Sequence, residues 1–128
     1  MSRFAVLIAI VAVFVCGCER LSPCNSKELL RISSPDNVLD AVIVETDCGA
    51  TTSFTKTVYI VPKSKGVSSD NVIFKADRVS GLSLNWVKNK LLEIRYRKAR
   101  VFSFTNFWQS KDVDNFGYVV DILEKPKQ

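Results

Sequence analysis

Side chains that could do chemistry at a fixed spacing are few in this 128-residue chain. It contains no His, which excludes His-dependent triads, His-ligated zinc and imidazole pH switching. A thiol nucleophile at Cys48 would therefore have no imidazole to deprotonate it. Asp112-Val113-Asp114-Asn115-Phe116-Gly117 opens like a calcium loop, with acids at the first and third positions and Gly at the sixth. The fifth position is Phe116 and the twelfth is Leu123, and neither supplies a side-chain oxygen, so the segment reads as an acidic turn. No paired carboxylates at a working distance, phosphate-cradling glycine loop, CxxC or Ser-Lys signature stands out. The sequence thus offers no catalytic set, no metal ligands and no cofactor site.

Residues suited to binding are plentiful. Lys88, Lys90, Arg95, Arg97, Lys98 and Arg100 stand against Glu93 alone between positions 88 and 100, in a chain of net charge +5. Strand alternation would put Arg95 and Arg97 on the face opposite Ile94 and Tyr96, giving a basic stripe. Such a stripe would dock onto an acidic protein, an anionic lipid or a glycan, or simply guard a sheet edge as a solvated face. Six aromatics fall between Phe102 and Tyr118, and most are expected to fill a core. Trp108, followed by Gln109, Ser110 and Lys111, is the one expected at partial exposure. The candidate partner-binding set is Arg95, Arg97, Lys98, Arg100 and Trp108.

These side chains must be positioned by strands. Apolar and β-branched runs recur between turn signals at Glu28 to Ser33, Leu39 to Thr46, Phe54 to Pro62, Asn71 to Lys75, Leu82 to Val87, Lys90 to Arg97, Val101 to Phe104 and Tyr118 to Leu123, and no long helical pattern competes. Ser34-Pro35-Asp36-Asn37 places Pro where φ near −65° is wanted and Asn where a left-handed residue is tolerated. Val87-Lys88-Asn89-Lys90 separates two alternating runs and predicts a hairpin. The polar stretch Pro62 to Asp70 is an exposed loop. The expected fold class is all-β, a small antiparallel meander forming a sandwich or half-barrel.

The N-terminus follows a different grammar. A short positive region at Arg3 precedes the unbroken apolar run Phe4 to Val15, then Cys16-Gly17-Cys18. The run is shorter than the roughly 20 residues a spanning helix needs and reads as an export signal. Val15-Cys16-Gly17-Cys18 resembles the lipobox of bacterial lipoproteins, in which the last cysteine is acylated and becomes the first residue of the mature chain. Gly17 is the small residue wanted before the cut, so the resemblance implies lipidation at Cys18, with residues 1–17 as signal, 18–27 as tether and 28–128 as one β domain. Cys16 then leaves and Cys18 carries lipid, which leaves Cys24 and Cys48 to form one disulfide outside the cytoplasm. Closing that loop is worth about 3 kcal/mol on the chain-entropy model.

Ser34-Pro35-Asp36-Asn37 leading into Ala41-Val42-Ile43-Val44-Glu45, then Asp47-Cys48-Gly49-Ala50-Thr51-Thr52-Ser53-Phe54, is similar to a group of small uncharacterised bacterial exported proteins and lipoproteins. Those share an SPDG-like turn and a DCGATT segment. The likeness covers about Ser34 to Val61, with Asn37 where Gly is more usual. It implies export and a β fold and carries over no catalytic residue. Residue by residue, Gly49 allows a bend after a strand, and Thr51, Thr52 and Ser53 can satisfy its backbone through their hydroxyls. With Asp47, the same threonines could form a polar binding rim.

Together these features predict an envelope lipoprotein anchored to a membrane and facing the periplasm or exterior. Its expected work is non-catalytic binding at the membrane surface, as an immunity or inhibitor protein or an envelope-complex partner. A small periplasmic hydrolase and a structural accessory subunit are the competing readings, and nucleic acid is disfavoured by the compartment.

Overall fold

The computed structural model describes residues 24–49 and 51–126. The signal over 1–17 and the lipidation at Cys18 lie outside the described residues.

Nine strands form two sheets: β1 (Asn25–Ser33), β2 (Leu39–Asp47), β3 (Thr55–Pro62), β4 (Val72–Ser80), β5 (Ser83–Lys88), β6 (Leu91–Tyr96), β7 (Lys98–Phe104), β8 (Phe107–Trp108) and β9 (Val120–Pro126). One sheet has the order β1-β2-β3-β4-β7 and the other β5-β6-β9-β8. The protein is an all-β sandwich, as its alternating patterns predict. Helical content among the described residues is limited to short 3-10 turns at Ser69–Asn71 and Asp114–Phe116.

The topology departs from a pure meander because the chain crosses between the sheets after β4, after β6 and after β7. The second crossing lets β7 pair antiparallel with β4. Then β9 returns to lie parallel to β6, setting Leu92 beside Ile122 and Ile94 beside Glu124. The core lies between the sheets. Leu39, Ala41, Ile43, Val58, Ile60 and Phe74 come from one side, and Leu92, Ile94, Tyr96, Val120 and Ile122 from the other. Trp86 fastens the two layers with an Nε1–H bond to the Ile32 carbonyl at 2.9 Å.

Sequence explains the local choices. Strand β2 reads as a continuous apolar run because it is central. Its odd positions face the main core, while Val42 and Val44 join Val61 in a smaller cluster on the other face. In the Ser34-Pro35-Asp36-Asn37 turn, Asn37 adopts φ 59° and its N–H reaches the Ser34 carbonyl at 2.8 Å. The predicted hairpin forms between β5 and β6, pairing Leu84 with Ile94 and Trp86 with Leu92. β1 starts at Asn25, inside the stretch expected as tether.

Candidate functional site

Cys24 and Cys48 are disulfide-bonded across the start of β1 and the end of β2. From there the register lays one row of side chains across the whole five-stranded sheet. Ser26 faces Thr46, Thr46 faces Thr55, Thr55 faces Asp77, and Asp77 faces Arg100. Directly opposed residues share a sheet face, so this end presents a hydroxyl-rich row closed by an ion pair. Ser26 and Thr46 are hydrogen-bonded at 2.9 Å. Arg100 donates from Nε to Asp77 Oδ1 at 2.7 Å and from a terminal nitrogen to Oδ2, a two-pronged pairing. That pairing holds the buried Asp77 carboxyl below its ordinary range and raises the guanidinium.

Residues 48–49 and 51–54 lie beside this row. Gly49 makes the bend at φ 120°, and its N–H bonds Asp47 Oδ1 at 3.0 Å. Thr52 returns to the Gly49 carbonyl through both its N–H and its hydroxyl, at 3.2 and 3.1 Å. Three shallow, adjoining grooves ring the loop. One is lined by Asn25, Lys27, Glu45 and Phe54, the next by Glu45, Thr52, Ser53, Lys56 and Arg78, and the third by Thr51, Thr55, Arg78, Arg100 and Phe102. Phe54 and Phe102 are about half exposed, at 52% and 53%. Arg100 stacks its guanidinium 5.3 Å from the Phe102 ring centre.

Arg78 is the residue that sequence reasoning missed. It sits at an irregularity between β4 and β7, where the register slips between Asp77 and Ser80, and its φ is 52°. A left-handed conformation is costly for a side chain of this kind, and bulges re-aim side chains toward functional surfaces. No ion pair among the described residues uses Arg78. No Gly or Asn at this position could have signalled the bulge in advance.

The predicted basic stripe is divided by the change of sheets. Lys98 and Arg100 belong to the disulfide end, since Lys98 faces Ser80. Arg97 lies between strands with its side chain over Gly81. Arg95 stays on the four-stranded sheet, where its Nε bonds Glu93 Oε1 and Lys125 reaches Glu93 Oε2 at 3.3 Å. Glu93 is only 4% exposed, and the bond from Arg95, then that from Lys125, keeps its carboxyl below the ordinary range. Lys90 lies 4.7 Å above the Tyr118 ring.

Trp108 requires a correction. Its expected partial exposure is not found: it is 4% exposed, packed in the main core, with Nε1–H bonded to Asn71 Oδ1 at 3.2 Å. A partner for the indole N–H lets so large a ring be buried. The exposed aromatics are instead Phe54, Phe102, Phe107 and Phe116.

The buried carboxylates are the natural places to look for acid–base work. Asp40, Asp77 and Glu93 are all buried, all held below their ordinary range and all paired with arginine. Such groups stay ionised and serve as clamps, the opposite of a proton donor with a raised pKa. Compared with known proteins, the chain matches no family model, no curated protein and no solved structure.

Proposed function

We propose that this protein is a bacterial envelope lipoprotein, acylated at Cys18, whose β domain is a non-catalytic binding module held at a membrane surface. The observation that carries the reading is the Cys24–Cys48 disulfide. It joins the two cysteines that remain if Cys16 is removed with the signal and Cys18 carries lipid, and a disulfide belongs to an oxidising compartment. The disposition of the buried acids supports binding over catalysis, because each is committed to an arginine.

The surface best suited to a protein partner is the outer face of the four-stranded sheet. There the Glu93–Arg95–Lys125 cluster is bordered by Leu123, Phe107 and Val87, which are 40%, 46% and 50% exposed. A charged cluster set among exposed apolar side chains is interface chemistry. With the exposed Asp121 opposite Phe107, the face carries two cations and two acids among its apolar side chains, so it suits a partner of mixed charge.

Two measurements test the reading. Growth with a clickable palmitate should label the chain, and Cys18→Ser should abolish the label while Cys16→Ser keeps it. A label retained in Cys18→Ser overturns the anchor. Mild crosslinking of the tagged protein in its own membranes should capture one near-stoichiometric protein that is lost in Leu123→Asp. Capture unchanged by that substitution removes this face from the reading.

A further inference from the structure

We propose that the disulfide end of the five-stranded sheet is a docking face for anionic phospholipid headgroups, so that the domain lies directly on the bilayer; this rests on the acylation of Cys18 proposed above. The first argument is reach. Cys24 is fixed to Cys48, and only residues 19–23 separate it from Cys18. Whatever path those residues take, six Cα steps span at most about 22 Å. The Cys48 end of the domain therefore cannot leave the neighbourhood of the headgroups. Five strands at about 4.8 Å spacing make a face roughly 19 Å wide, comparable to that reach.

The second argument is chemistry. Phe54 and Phe102 stand half exposed on either side of the Thr51-Thr52-Ser53 segment, ready to enter the interfacial layer. Beside them are the exposed Lys98 and the exposed Arg78, which no ion pair among the described residues engages and which adds to Arg100 in holding the Asp77 carboxyl low. A guanidinium and several hydroxyls in one groove match the oxygen array of a lipid phosphate. Of the acids at this end, Asp77 is neutralised by Arg100, Asp47 lies toward β1, and Glu45 lines the groove of Thr52 and Ser53 opposite Lys56, its cross-strand neighbour. The footprint is therefore the adjoining groove of Thr51, Thr55, Arg78, Arg100 and Phe102 on the side formed by β3, β4 and β7, whose one acid is the neutralised Asp77. A covalent anchor nearby raises the effective concentration, so individually weak headgroup contacts suffice to orient the domain.

The test uses the full chain as isolated from its membranes, with its N-terminus and acylation read by mass spectrometry. The chain is labelled with fluorophenylalanine and placed with vesicles of phosphatidylcholine alone or mixed with phosphatidylglycerol, each carrying a paramagnetic chelate on a minor headgroup lipid. The fluorine resonances of Phe54 and Phe102, assigned from Phe→Leu variants, should broaden severalfold more than those of Phe107 and Phe116, which are equally exposed elsewhere. The excess should be severalfold larger in the anionic vesicles than in phosphatidylcholine alone, and that difference should be lost in Arg78→Glu/Lys98→Glu, with the buried Phe74 resonance reporting that the variant stays folded; equal broadening in the two kinds of vesicle overturns the headgroup docking. Reversing two charges should weaken anionic-surface docking at least about tenfold. Equal broadening at all four exposed rings overturns the docking face, even in an acylated chain. Selective broadening in a chain without lipid on Cys18 overturns the anchor and leaves the docking face standing.

Discussion

The two ends of the five-stranded sheet are built from similar residues and treat them differently. At the Asp40 end the carboxylates of Asp40 and Asp36 and the Arg31 guanidinium are spent on the fold. Asp40 Oδ1 accepts from Ser33 Oγ at 2.6 Å, and Oδ2 accepts from Arg31 and from the Ser64 N–H, both at 2.9 Å. Arg31 also holds Glu28 and the Lys65 carbonyl, so one guanidinium fastens β1, β2 and the 63–68 loop. The adjacent turn is locked in the same way, with Asp36 accepting from the Ser34 hydroxyl and from Tyr118 Oη. At the disulfide end a covalent bond adds to the Ser26–Thr46 and Asp77–Arg100 pairings, and Arg78, Thr51, Ser53 and two phenylalanine rings are left facing solvent. A covalent clasp frees side chains that an end closed by hydrogen bonds must consume.

The largest effect should come from breaking the closed end. Asp40→Ala removes three hydrogen bonds and strands a partly buried Arg31, and should lower stability by about 3 kcal/mol, measured by urea unfolding. Thr52→Ala at the open end should stay within about 0.5 kcal/mol. Equal losses at both would erase the contrast. Cutting the clasp by Cys24→Ser with Cys48→Ser should cost close to the same, about 3 kcal/mol for a loop of this size, and should leave the Asp40 network intact. Hydrogen exchange would then show faster opening at the start of β1 and the end of β2, with the Leu39 end still protected.

The acid and alkaline limits of stability bear on the contrast because Asp40, Asp36 and Tyr118, all with displaced pKa values, belong to the closed end. At Asp40 and Asp36, burial acts to raise the pKa, but the bonds from Ser33, Ser64 and Arg31, and from Ser34 and Tyr118, outweigh it and hold both below their ordinary range. A depressed carboxylate contributes stability above its unfolded pKa and loses it as pH falls through the folded value. Stability should therefore be level near neutrality and decline from about pH 5 downward. Tyr118 and Tyr96 are pushed up to about 12, first by burial and then by bonds to Asp36 and Glu124. A raised phenol contributes stability that is complete below its unfolded pKa, so a second decline should run from about pH 10 upward as the folded groups ionise. Urea titrations across pH check both limbs, and Asp40→Asn should make the acid one shallower, with Asp36, Asp77 and Glu93 still contributing to it.

What the sequence disclosed follows from how local each cause is. Alternation in Leu82, Leu84, Trp86 and in Leu92, Ile94, Tyr96 fixes which face is buried, and those strands appear where they are predicted. The Asn37 turn needs only its own four residues. The parallel pairing of β6 with β9 is set by distant packing across the core, so no local pattern announces it, and β8 is two residues long. The basic stripe looked continuous because alternation was carried through Arg97, where the chain in fact leaves one sheet for the other. Trp108 looked exposed from its polar neighbours, whereas Asn71, far away in sequence, supplies the partner that lets it be buried.

The smallest predicted change is the most informative about the open end. Arg78 holds φ 52°, a conformation that costs a residue with a Cβ roughly 1–2 kcal/mol and Gly almost nothing. Gly in exchange loses about 0.5–1 kcal/mol more backbone entropy on folding. Arg78→Gly should therefore stabilise the protein slightly, by about 0.5 kcal/mol, while it removes the cation and weakens broadening of Phe54 and Phe102 by anionic vesicles. Opposite signs in the two measurements are what a strained residue retained for binding produces. Arg78→Ala separates the contributions, since it keeps the backbone cost but loses the charge, so it should bind as weakly as the Gly variant with none of its gain. If Arg78→Gly is instead less stable than the parent, the left-handed arginine is held by contacts that repay it, and the two ends of the sheet are closed by the same means after all.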